Sequence, residues 1–112
     1  MKVRAKLVVN DRVLDEFKNE HLSPGAMYTV IGLDDEHFRV LNDRDEPVLY
    51  PKFLFDVVDS RVPKDWVRRE DADGAYYVDP IECAIPGFYE DYFDGRPAAV
   101  AAFQAAMKKM NC

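Results

Sequence analysis

The sequence predicts a mainly β chain with a C-terminal helix: a small antiparallel barrel, an aromatic-rich extension and a packed helix. Three observations predict it. Runs of β-branched and aromatic residues recur between polar breaks through residues 1–59, Pro and Gly punctuate an aromatic stretch over 60–96, and an Ala-rich stripe at helical spacing occupies 97–110. Five short strands with brief connections and no crossover helix select an antiparallel arrangement over a parallel α/β sheet.

Val3, Ala5, Leu7 and Val9 alternate with Lys2, Arg4, Lys6 and Val8, the period of a half-buried first strand. From Asn10 to His21 the spacing of Val13, Leu14 and Phe17 fits either a helical turn or an irregular connection. Ser23-Pro24-Gly25 breaks the chain before a second strand, Met27 to Leu33. Asp34-Asp35-Glu36 supplies a polar turn, and Phe38 to Leu41 forms strand three. The Asx-rich stretch from Asn42 to Pro47 has hairpin chemistry and leads into Val48-Leu49-Tyr50. Tyr50-Pro51 is expected to leave the sheet, because proline brings no amide to a ladder. Phe53 to Val58 is the last strand.

In the extension, Trp66, Tyr76, Tyr77, Phe88, Tyr89, Tyr92 and Phe93 are too many large rings for a flexible linker, so an ordered wrap is expected. Pro97 suits the first position of the final helix, Asp94 or a neighbour caps it, and Lys108-Lys109 complement its negative end. Val100, Phe103, Met107 and Met110 form its apolar stripe.

A length of 112 residues fits one domain, divided into a barrel (1–59), an acidic aromatic extension (60–96) and a helix (97–110). Hydrophobic residues at 48% and charged ones at 32% match a globular chain. The net charge of −6 argues against a general binder of phosphate backbones. No apolar run approaches the ~18 residues of a membrane span, and the start MKVRAKLVVN lacks a signal-peptide core, so a cytoplasmic location is expected. Cys83 and Cys112 are too few for a disulfide framework and read as thiols.

The frame Leu22, Gly25, Tyr28, Val30, Gly32, Arg39, Asn42-Asp43, Glu46-Pro47, Tyr50-Pro51, Phe55 and Val57-Val58-Asp59 resembles a group of small, mostly uncharacterised bacterial and phage proteins. The resemblance covers the first half of the chain and implies an SH3-like barrel. Its motifs are structural rather than catalytic, and a fold does not determine function. The chain departs from the pattern at Asp45, where a turn glycine is usual, and at Ala26, where a lysine is common.

Catalytic and metal chemistry find little support. His21 and His37 have no Cys or second His at ligand spacing, Asp34-Asp35-Glu36 lacks a calcium loop, and no nucleophile, phosphate-loop or dinucleotide motif occurs. The expectation is a protein that is not an enzyme, without metal or cofactor. Glu90, Asp91 and Asp94 beside aromatic rings could serve as a general acid and base, but a helix cap and its dipole account for them better.

Charge distribution is more informative. Residues 75–95 hold Asp79, Glu82, Glu90, Asp91 and Asp94 with no Lys or Arg, and six aromatic rings. That composition suits a basic protein partner, unless the rings pack inward and the acids are merely solvated. The candidate partner-binding residues are Tyr89, Glu90, Asp91, Tyr92 and Asp94. The leading expectation is a protein-binding module, in its sharpest form an immunity protein or small inhibitor of a basic partner. The alternatives are a nucleic-acid-binding SH3-like domain, opposed by the charge, and a small-ligand or enzyme site in an aromatic cleft around Trp66 and Tyr92. A second acidic block at Asp34, Asp35, Asp43 and Asp45 offers another surface. Oligomeric state is not legible.

Overall fold

The computed structural model describes residues 1–6 and 21–110. The expected helical turn within 10–21, the continuation of strand one through Leu7 and Val9, and Cys112 all lie outside or largely outside those residues. The chain divides into two compact units, Met1–Val62 and Pro63–Cys112. Its architecture is mainly antiparallel β with a C-terminal helix.

The N-terminal unit contains β1 (Lys2–Ala5), β2 (Met27–Asp34), β3 (His37–Leu41), β4 (Pro47–Pro51) and β5 (Phe55–Asp59), hydrogen-bonded in the order β4-β3-β2-β1-β5. This path is not closed into a barrel. Val3 and Ala5 are buried as the alternation predicts. In β2 the pairing with β3 slips between Val30 and Gly32, so Val30 and Ile31 are both buried, as a bulge allows. A second slip at the β1/β5 pairing leaves Val57 and Val58 exposed. It also sets Lys2 opposite Asp59 and Arg4 opposite Asp56, so cations of the basic first strand face acids of β5.

The core centres on Phe55. The rings of Tyr28, Phe38 and Tyr50 each meet it edge-on at centroid distances of 6.3, 6.1 and 6.3 Å, the arrangement ring quadrupoles favour. Phe55 reaches this position because a 3-10 turn over Lys52–Leu54 precedes β5.

Pro51 does not leave the sheet. It is the last residue of β4, paired with His37, while Pro47 at the other end pairs with Leu41. The physical reason is register. Asn42 N–H donates to Glu46 O (3.1 Å) and Lys52 N–H to Glu36 O (2.9 Å), so the even-numbered positions of β4 face β3. The two prolines therefore fall where an amide would point to the outer edge, which is where a strand tolerates them.

The C-terminal unit contains a hairpin where the sequence predicts an ordered wrap without strands. Trp66–Glu70 and Tyr76–Pro80 form an antiparallel hairpin, β6 and β7, in the register Trp66↔Pro80 to Glu70↔Tyr76. Its turn closes with Asp71 N–H on Ala75 O (2.8 Å) and Gly74 N–H on Asp71 O (3.0 Å), with Gly74 at φ +85°. A 3-10 turn over Ile81–Cys83 follows, in which Cys83 is buried. Helix α1 spans Phe88–Phe93 and α2 spans Pro97–Met110.

The junction of the two helices explains the D-G-R-P sequence. Gly95 N–H bonds to Tyr92 O and Arg96 N–H to Asp91 O, each at 3.0 Å, with Gly95 at φ +75°. This is the Schellman closure that favours glycine. Asp94 is thus the C-cap of α1 and not the cap of α2, whose first turn begins at Arg96 O, accepting from Val100 N–H (3.0 Å). The buried stripe of α2 is Ala99, Phe103 and Ala106, with Val100, Met107 and Met110 half-buried beside it.

Candidate functional site

Helix α1 carries the five candidate residues and sorts them onto two faces. Phe88 is buried, and the half-buried rings of Tyr89 and Tyr92 turn toward α2. Tyr92 lies 4.6 Å from the Phe103 ring and Tyr89 lies 6.4 Å from it, so both contribute to the packing of α1 on α2. Glu90, Asp91 and Asp94 are exposed.

The three acids differ. Asp91 Oδ1 lies 3.3 Å from Arg96 Nε, a contact the Schellman closure creates by folding Arg96 back over the helix end. Among the described residues no salt bridge involves Glu90 or Asp94. Between them, at the i, i+3, i+4 spacing of one helix face, stands Phe93, which is 54% exposed. Phe93 was not among the candidates. Its signal was available: with Phe88 and Tyr92 four apart on the packed side, a helical reading of 88–93 puts Phe93 beside Glu90 and Asp94.

Not all of the acidic aromatic block lacks cations. Hairpin pairing brings Arg68 over the Tyr76 ring (4.4 Å) and Arg69 over the Tyr77 ring (5.2 Å), contacts of cation–π type. Arg68 also bonds Glu70 (2.9 Å), and Tyr77 donates its hydroxyl to Asp71 (3.1 Å). The acidic aromatic surface is therefore narrowed to α1.

Two acids of the second block are engaged by the chain around them, and one of those, Asp34, is buried. Asp34 is buried, and its Oδ1 accepts the N–H groups of Glu36 (2.8 Å) and His37 (2.7 Å), with His37 Nδ1 at 3.0 Å. Asp43 accepts the Tyr28 hydroxyl and the Ser23 hydroxyl, both at 2.8 Å. Asn42, buried between them in sequence, receives Arg44 N–H (2.9 Å) and Glu46 N–H (3.0 Å) and donates to Tyr50 Oη (3.1 Å). Asp45 occupies φ +59°, a left-handed position that glycine adopts more readily. Only Asp35 and Asp45 of the four remain as exposed surface acids without such a role. His37 is half-buried in this turn rather than a solvated loop residue, and His21 has φ +60° with its carbonyl on Asp43 N–H (2.9 Å).

The cleft that Trp66 lines does not include Tyr92. Trp66, 9% exposed, shares it with Asp65, Glu82 and Lys109. Lys109 bonds Glu82 Oε1 and lies 3.6 Å from Asp65 Oδ2. The Lys109 ammonium holds the Glu82 carboxyl below its ordinary value, and Glu82 in turn raises Lys109. In the N-terminal unit, the Arg61 side chain and N–H hold the Asp59 carboxyl well below the usual carboxylate range.

Among the described residues no group of three or more His, Cys, Asp or Glu is placed to hold a metal ion, and no helix is long and apolar enough to cross a membrane. Comparison of the chain with protein-family models, curated proteins and solved structures finds no match.

Proposed function

We propose that the chain is a non-enzymatic protein-binding module that captures a basic partner through the outer face of α1, with an immunity protein or small inhibitor as its sharpest form. The observation that carries this reading is the exposed Phe93 ring between the exposed carboxylates of Glu90 and Asp94. An apolar ring framed by acids pairs a dehydrating contact with charges that steer a cationic surface into place. Tyr89 and Tyr92 hold the helix under that face, and Asp91 belongs to it through its pair with Arg96.

We read the N-terminal unit as an SH3-like barrel that serves as scaffold. The support is the antiparallel strand order β4-β3-β2-β1-β5 and the convergence of Tyr28, Phe38 and Tyr50 on Phe55, all positions of the resembling frame or its strands. Nucleic acid is a poorer partner because the acids of α1 would face phosphates.

The test is affinity capture from a bacterial lysate with the wild type and with Glu90→Lys/Asp94→Lys. The wild type is expected to enrich proteins of high isoelectric point, with an association rate that falls as salt is raised. The double variant should retain its melting curve and lose that set. Retention of the same set by a folded double variant overturns the assignment of the face.

A further inference from the structure

The cleft beside Trp66 has a chemistry that the partner face does not use. It is a cavity of about 50 Å³ lined by Trp66, Pro63, Pro80, Asp65, Glu82 and Lys109, several times the ~10–15 Å³ that one water requires. Its ionic groups are two carboxylates and one ammonium, so it carries one net negative charge. Lys109 reaches Glu82 Oε1 from the last turn of α2, with its side chain 57% exposed, and so stands at the rim. The second oxygen, Glu82 Oε2, is buried and has no hydrogen-bond partner among the described residues. The Glu82 side chain is only 17% exposed. The proline walls contribute no N–H to satisfy it. A buried carboxylate oxygen without a donor is costly, so the group that completes this cleft is a donor and, given the net charge, a cation.

We propose that this cleft is a binding site for a guanidinium-type organic cation, which donates to Glu82 Oε2 against the Trp66 wall and competes with Lys109 for the carboxylate. A planar guanidinium presents paired donors to a carboxylate and is weakly hydrated enough to stack on an aromatic ring, which a compact ammonium does less well. Trp66, Pro63 and Pro80 give an apolar surround for the carbon attached to such a group. A divalent metal is disfavoured, because the Lys109 ammonium already sits on the carboxylate and the walls offer few hard oxygens. The hydrogen bond from Lys109 lowers the Glu82 carboxyl further below an ordinary value that already leaves it anionic at neutral pH. Lys109 is then an intramolecular occupant, and its removal strengthens binding rather than weakening it. The site stands on the cleft alone and does not depend on the Phe93 face.

Trp66 is the only tryptophan in the chain and reports on the site directly. The wild type is titrated at constant ionic strength with Nα-acetyl-arginine methylamide and with its neutral analogue Nα-acetyl-citrulline methylamide, following Trp66 emission and backbone amide NMR shifts. The expected result is a saturable change for the arginine compound alone. Glu82→Gln should weaken it by about tenfold or more, and Lys109→Met should tighten it by several-fold, roughly 1.4 kcal/mol per factor of ten. Should Glu82→Gln fail to fold by near-ultraviolet circular dichroism, Asp65→Asn replaces it, with a weakening expected in the same direction. Methylguanidinium alone binding as well as the arginine compound identifies a free small cation as the source; binding only when the group is carried on a peptide identifies a partner's side chain. An equal response to the citrulline compound, no saturable response by either readout, or affinities unmoved by every folded variant overturns the proposal.

Discussion

Acidic residues in the N-terminal unit hold turns together, whereas those of α1 face outward. Asp34 and Asp43 each accept more than one hydrogen bond from the chain around them, while Glu90 and Asp94 form no salt bridge among the described residues. The same side-chain type is a brace in one region and a candidate contact in the other. The difference lies in whether a backbone N–H or a hydroxyl arrives within reach, and a count of charges does not contain that.

The largest expected effects test the two cores. Phe55→Ala in the first unit removes the ring on which Tyr28, Phe38 and Tyr50 converge, and Trp66→Ala removes the buried indole of the second. Each should destabilise by roughly 3–5 kcal/mol in urea unfolding. A loss well under that at Trp66 would mean its ring belongs to the cleft more than to the core. Asn42→Ala should come next, at about 1–3 kcal/mol, since it removes the acceptor of the Arg44 and Glu46 amides and the donor to the Tyr50 hydroxyl.

Gly95→Ala should cost about 1 kcal/mol. Nothing lies within 4 Å of the added Cβ, so the cost comes from φ +75° alone, and far-ultraviolet circular dichroism during thermal melting would measure it. The contrast between the two sets of acids is sharpest in charge reversal. Asp43→Lys should destabilise by roughly 1–2 kcal/mol, while Glu90→Lys/Asp94→Lys stays within about 0.5 kcal/mol. Equal losses in both would erase the distinction.

The smallest effect is in acid. The folded value of Glu82 lies below its ordinary 4.5, so its contribution is fully present above the unfolded value and is lost as pH falls through the folded one. Urea midpoints of wild type and Glu82→Gln should therefore differ at neutral pH and converge once the pH has fallen through the lowered folded value.

Much of the fold was legible. The alternation at Val3 and Ala5, the β-branched run from Met27, and the Pro97 start with the stripe through Phe103 all lie in the local chain, where period and capping are read directly. The β6–β7 hairpin was missed although Asp71-Ala72-Asp73-Gly74 is a turn sequence, because the surrounding prolines and rings suggested an ordered wrap without strands. Of the candidate site, the acids were legible directly, whereas Phe93 was legible only through a helical reading of 88–93, and its exposure follows from which side of α1 packs on Phe103.

By itself the sequence determined the sites of the strands of the N-terminal unit, the final helix and the acidic balance of residues 75–95, because these are properties of neighbours along the chain. The tertiary structure decided which acids remain available. Arg68 and Arg69 are laid over Tyr76 and Tyr77 by hairpin register, Arg96 is returned to Asp91 by the Gly95 turn, and Lys109 meets Glu82 across 27 residues. A charge's partner is fixed by distance in space, which falls off within a few ångströms and leaves no periodicity in the sequence to read.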